Sequence, residues 1–108
     1  VIFKRYEIYL ANLDPTIGSE IKKTRPVVIV SDNLMNKFLD TVVVCPLTLR
    51  LHPAWRSRIQ VVCKPQRAEI AVDQIRSIAK QRLIKKLDKL TPQDASQLRS
   101  RISEMYGE

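Results

Sequence analysis

Pro26-Val27-Val28-Ile29-Val30 is a short, almost wholly apolar and β-branched run that opens on a proline. It reads as a buried strand, and proline is tolerated at the first position of a strand, where no central ladder bond is lost. On its C-terminal side Ser31 or Asp32 is placed to N-cap a single helical turn through Asn36. Thr41 to Cys45 follows as a second β-branched run, closed by Pro46. On its N-terminal side Tyr6, Ile8 and Leu10 alternate with Glu7, Tyr9 and Ala11, the period of a strand whose second face is only weakly polar. Asp14 to Thr24 holds Pro15, Gly18, Ser19 and two lysines without any period, and reads as a long ordered loop. Leu49 to Ser57 is another loop, Arg58 to Cys63 another strand, and Ala68 to Val72 continues the β pattern; Asp73 to Ile78 has no clear period. Five short strands joined by irregular loops point to a small barrel rather than a sandwich. Thr91-Pro92-Gln93-Asp94 then supplies an N-cap, a proline at the first helical position and an acid that can close a capping box. Ala95, Leu98, Ile102 and Met105 follow at helical spacing as one apolar stripe.

The chain has 108 residues, of which 44% are hydrophobic, so a single domain with its own core is expected. Gly18 and Gly107 are the only glycines, too few for a phosphate-cradling loop. Two cysteines and one histidine cannot complete a structural zinc site. Cys45 and Cys63 each end a β-branched run and read as core thiols of a reducing compartment. No apolar run approaches the roughly 20 residues of a membrane span and no signal-peptide pattern opens the sequence, which points to a cytoplasmic protein with no membrane partner. Nineteen Lys and Arg against eleven Asp and Glu give a net charge of +8, which suits a polyanionic partner. The cations are segregated: Arg50, Arg56, Arg58, Lys64 and Arg67 lie between Thr41 and Ala68 with no carboxylate among them.

Two segments carry more chemistry than a turn needs. Asp14-Pro15-Thr16-Ile17-Gly18-Ser19-Glu20-Ile21-Lys22-Lys23-Thr24-Arg25-Pro26 places carboxylates, hydroxyls, two lysines and an arginine between two strands. Arg25 precedes a proline, which holds its backbone extended at a strand start. In Pro46-Leu47-Thr48-Leu49-Arg50 an apolar run ends in a hydroxyl and a cation. A planar guanidinium beside a hydroxyl is a good clamp for a phosphate and for charge building on its oxygens. The plainer alternative pairs Arg25 with Glu20 or Asp14 and leaves Thr48 as a strand cap.

"NLDPTIGSEIKKTRPVVIVSD", followed by "VVVCPLT" and "DQIRSIAKQRLIKKL", resembles the MazF/PemK family of toxin ribonucleases from bacterial toxin–antitoxin pairs. The resemblance spans nearly the whole chain. It departs where the family usually has glycine after the first arginine, here Tyr6, and at Ala71, where some PemK-type members carry an arginine used in catalysis. It implies a mainly β fold with α, a small SH3-like barrel with a C-terminal helix, as one toxin domain over residues 1–108. It also implies a homodimer that cuts single-stranded RNA at short sequences with no metal or other cofactor, the 2′-hydroxyl attacking the adjacent phosphate to leave a 2′,3′-cyclic phosphate. A cognate antitoxin with an acidic tail would restrain it, and DNA would be met only through the toxin–antitoxin complex. Carried over residue by residue, the catalytic pair falls on Arg25 and Thr48, the loop carboxylate on Glu20, and groove positions on Asp73 and Gln74. Thr16, Ile17, Ser19, Lys22 and Lys23 of the long loop join them as RNA-binding candidates.

A guanidinium holds its proton too firmly to be a good general base. Arg25 is therefore expected to clamp the phosphate, Thr48 to bond a non-bridging oxygen, and Glu20 to orient Arg25 or take the 2′-hydroxyl proton. In Leu49 to Arg58 one indole sits among arginines, a combination that stacks bases and attracts phosphates. Trp55, Arg50 and Arg56 are expected to grip RNA, unless Trp55 is a core or interface residue. His52, an attractive proton donor by residue type, reads as an exposed bystander. Two other classes use the same charge: a CcdB-like toxin that poisons DNA gyrase, and a non-catalytic nucleic-acid-binding module.

Overall fold

The apolar run at Pro26 forms the middle of the molecule. In the computed structural model, which describes residues 1–15, 17–21, 23–63 and 66–107, it belongs to strand β2 (Thr24–Ile29), flanked by β1 (Glu7–Asn12) and β3 (Thr41–Thr48). Four further strands follow: β4 (Arg58–Cys63), β5 (Gln66–Ala71), β6 (Arg76–Ala79) and β7 (Leu83–Lys89). One helical turn, α1 (Asn33–Phe38), joins β2 to β3, and α2 (Pro92–Tyr106) closes the chain. Short 3-10 turns at Val72–Gln74 and Lys80–Arg82 bracket β6. All pairings are antiparallel, in the order β4-β5-β3-β2-β1-β7 with β6 added to β3, and the sheet curls into a half-barrel.

Among the described residues seven strands stand where five were expected: β6 overlaps the stretch from Asp73 to Ile78 that showed no clear period, and β7 lies beyond it in a segment given no element from the sequence. Strand β3 also runs through Pro46 to Thr48 rather than ending at Cys45. The ladder explains how. Cys45 pairs with Val28, and Val30 N–H bonds the Val43 carbonyl at 2.8 Å. Bonded positions alternate along an antiparallel strand, so Pro46, opposite Val27, turns its nitrogen away from β2. On that other side β6 ends its pairing at Val44 and β5 begins at Leu47. The missing N–H falls in the gap where β3 passes from one neighbour to the next.

Both faces of the central strands are buried. Ile8, Val28, Cys45, Leu47, Ile59 and Ile70 pack with Ala95 and Leu98 of α2 on one face. Tyr9, Ala11, Val27, Ile29, Val42 and Val44 form a second cluster on the other, with Leu13 and Ile78. The second face of β1, weakly polar by sequence, is thus core. Burial holds the Cys45 thiol up at about 12, so it is an inert core group, and both cysteines are free.

Asp32 is the cap of α1, its carboxylate accepting from Met35 N at 2.8 Å, while buried Ser31 accepts from Val43 N at 3.0 Å. Thr91 caps α2 as expected, accepting from Asp94 N at 3.1 Å with Pro92 in the first turn. Thr91→Ala is expected to lower stability by about 1 kcal/mol, read as a lower midpoint in urea unfolding. Tyr6, standing where the resemblance called for glycine, has φ of 70°, the left-handed region glycine adopts freely. It is held there by its N–H on the Ile29 carbonyl at 2.7 Å and its carbonyl accepting from Leu90 N at 2.9 Å. Arg99 also bonds its hydroxyl.

Candidate active site

The two candidate catalytic residues come from facing strand ends. The β2–β3 ladder pairs Val27 with Pro46 and Val28 with Cys45; carried two residues further, that register sets Arg25 opposite Thr48. Both line one cleft of about 250 Å³, with Pro26, Leu47, Cys63 and Ala68 among its walls. The Thr48 hydroxyl accepts from Arg50 N at 3.1 Å, which fixes its orientation at the strand end and leaves its own proton to donate.

Thr48 also borders a second, wider depression of about 540 Å³, lined by Ser19, Arg50, His52, Trp55, Asp73 and Gln74 among others. The long loop, the 49–57 loop and the 72–74 turn therefore meet beside the Arg25 cleft. Their junction is bonded: Ile21 N donates to Gln74 Oε1 at 2.6 Å. The base of the long loop is closed by Lys23 N on Asp14 Oδ1 at 2.8 Å and by Arg82 on the carbonyls of Asn12 and Asp14.

Four candidates lie elsewhere. Ile17 is exposed on the long loop, and Glu20 accepts from Ile17 N at 2.7 Å, so that its carboxylate closes a turn of its own loop. Lys23 is exposed at the loop base in a left-handed conformation, with φ of 70°. Arg56 reaches α2 and pairs with Glu104 at 2.7 Å. None of these four lines either depression. Thr16 and Lys22 are outside the described residues.

Sequence reading missed the group beneath the wider depression. Glu69 is fully buried and faces Thr48 across one ladder and Gln60 across the other. It accepts from Arg58 Nη1 at 2.8 Å, Gln60 Nε2 at 2.6 Å and His52 N at 2.6 Å. Arg58, buried as well, donates its Nε to Asp73 Oδ1 at 2.9 Å. Burial alone raises the Glu69 carboxyl, but Gln60, the His52 N–H and the Arg58 guanidinium together hold it below its ordinary value. Asp73 is lowered in the same way, its burial outweighed first by Arg58. The cation-rich segment is therefore partly neutralised in space, Arg58 by Glu69 and Asp73 and Arg56 by Glu104.

His52 is a correction too. It is half-buried and stacked on Trp55, with centroids 3.8 Å apart and planes 8° from parallel. Among the described residues no three His, Cys, Asp or Glu side chains converge as metal ligands, and no helix is long and apolar enough to cross a membrane.

Residues 4–106 match the family described as PemK-like, MazF-like toxin of type II toxin-antitoxin system, and the chain belongs to that family. It is 34% identical over 95 residues to Endoribonuclease EndoA of Bacillus subtilis (strain 168), a match covering 83% of this chain and 82% of that protein. Its fold is that of MazF from Deinococcus radiodurans, with a TM-score of 0.87 at 17% identity over 100% of this chain and 99% of the other. A mycobacterial endoribonuclease solved with its cognate antitoxin superposes with a TM-score of 0.80 at 21% identity, covering 96% of this chain and 94% of that one. Nothing in these comparisons favours the gyrase-directed alternative.

Proposed function

We propose that this toxin-family endoribonuclease cuts single-stranded RNA at a short sequence by in-line attack of the ribose 2′-hydroxyl on the adjacent phosphate. The observation that carries the chemistry is the cleft in which Arg25 and Thr48 stand together at the ends of paired strands. The 2′-oxygen forms a bond to phosphorus while the bond to the 5′-oxygen breaks. The proton lost by the 2′-hydroxyl is matched by one gained at the leaving 5′-oxygen, and the products are a 2′,3′-cyclic phosphate and a 5′-hydroxyl. Negative charge grows on the non-bridging oxygens during the step. The Arg25 fork and the Thr48 hydroxyl are donors suited to that charge. Glu20, bonded within its own loop, shapes that loop in this reading. The wider depression, continuous with the cleft through Thr48, holds the nucleotides that flank the cut.

The chain acts as one domain and as a homodimer. Its restraining partner is an antitoxin whose acidic, initially disordered tail competes with RNA for the basic surface, as the charge of +8 favours.

The test is primer extension on a long, lightly structured RNA incubated with the protein in EDTA, beside Arg25→Ala. Discrete stops at one recurring sequence, absent from the variant, are expected, with cyclic phosphate ends by mass spectrometry. RNA carrying a single 2′-deoxy residue at the cut, and DNA of the same sequence, should stay whole because the nucleophile is missing. Intact RNA with folded wild-type protein overturns the reading and favours a protein target.

A further inference from the structure

The aromatic pair beside the cleft is a built object rather than a loop that happens to carry an indole. Trp55 is half exposed, at 48%, and one of its faces is covered. The His52 ring lies flat against that face at 3.8 Å. The Arg58 guanidinium stands over the indole as well, 4.8 Å from its centroid. His52, with one face on the indole, lines with Trp55 and Arg58 the depression that Thr48 borders.

We propose that the outer face of His52 is the shelf on which a nucleobase of the RNA stacks, with Trp55 and Arg58 as its fixed backing. This rests on the ribonuclease reading above. His52 and Arg58 are both tied to one fully buried carboxylate: the main-chain N–H of His52 donates to Glu69 Oε1 at 2.6 Å, and Arg58 Nη1 donates to Glu69 Oε2 at 2.8 Å. Two further main-chain bonds hold the segment, Trp55 N to the His52 carbonyl at 2.9 Å and Arg58 N to the Trp55 carbonyl at 3.2 Å. A shelf held this firmly loses little freedom when a base settles on it, which is where preorganised sites gain affinity. A flat ring accepts the π-face of any base. Thr48 sits between the shelf and the Arg25 cleft, so the stacked base belongs to a nucleotide next to the cut, and the shelf sets where the chain is gripped.

The probe is an RNA oligonucleotide containing the mapped cleavage site with a 2′-deoxy residue at the cut, so that it binds without being cleaved. His52→Ala is expected to bind it roughly 5- to 100-fold more weakly, and His52→Phe, which keeps a flat ring, within about threefold of wild type. At saturating cleavable RNA, His52→Ala should cut at close to the wild-type rate, the loss appearing in KM. Equal binding by His52→Ala overturns the proposal, as does a His52→Phe variant as weak as His52→Ala. The wild-type protein gives a reading that needs no variant: the chain has one histidine, so its imidazole proton signals stand alone in an NMR spectrum. They should move upfield when the oligonucleotide binds, and unmoved signals in a saturated complex sink the shelf. Wild-type protein that cuts RNA but fails these tests leaves the ribonuclease reading intact; protein that neither binds nor cuts removes both.

Discussion

Arg58→Ala should lower folding stability by about 3–5 kcal/mol, a large share of the 5–15 kcal/mol that small domains possess. The variant leaves the fully buried Glu69 carboxylate without its cation and removes the guanidinium that stands over the Trp55 ring. Urea unfolding followed by circular dichroism would show it as a large fall in midpoint. Replacing Arg58 with Met and Glu69 with Leu together should recover most of that loss, since removing a whole buried pair is far milder than orphaning half of it. A double variant as unstable as Arg58→Ala would mean that the harm comes from lost packing and not from stranded charge. The pair also sets a direction with pH. Glu69 is held below the ordinary carboxyl value in the folded chain, so its contribution is full above the unfolded value of about 4.3. It disappears as pH falls through the lower folded value. Wild-type protein should weaken on acidification more steeply than Glu69→Gln, which has no proton to take up.

The second large effect is on rate. Arg25→Ala is expected to slow cleavage by roughly 10²- to 10³-fold or more, as loss of a donor to a developing oxyanion does, with much less change in binding of the uncleavable oligonucleotide. Arg25→Lys keeps the charge and loses the planar fork, and should recover only a small part of the rate. Single-turnover cleavage of a short fluorogenic RNA separates the cases. A lysine variant at the wild-type rate would show that charge alone suffices and that the fork is not needed. Thr48→Ser should stay near wild type, because it preserves the hydroxyl that accepts from Arg50 N.

Much of this molecule can be read from its residues, and the exceptions have physical reasons. Apolar strands such as Val27–Ile29 and the capped helix α2 announce themselves through period and end signals. Strand β7, Leu-Ile-Lys-Lys-Leu-Asp-Lys, does not, because it lies at one end of the sheet order and pairs with β1 alone; its side chains are mostly exposed and need no alternation. Tyr9 and Ala11 were ambiguous since a strand buried on both faces loses its polar phase. Pro46 looked like an end only because its place between two successive neighbours is a property of the sheet and not of the local sequence. Arg25 and Thr48 were legible through motif resemblance, and strand pairing puts them in one cleft. Glu69 and Arg58 gave no signal, being charged residues on separate strands whose meeting depends on the β4–β5 register. The role of His52 followed from theirs.

The proposed cutting pair and the proposed reading surface hang from different parts of the chain. Arg25 and Thr48 are carried by strand ends in one ladder, whereas Trp55, His52, Asp73 and Ser19 belong to loops and a single 3-10 turn. Loops tolerate substitution and insertion far better than the strands that hold them. If the proposed roles hold, a lineage built on this plan can drift toward new RNA words through its loops while inheriting the same scissors, and an antitoxin that covered those loops would have to drift with it.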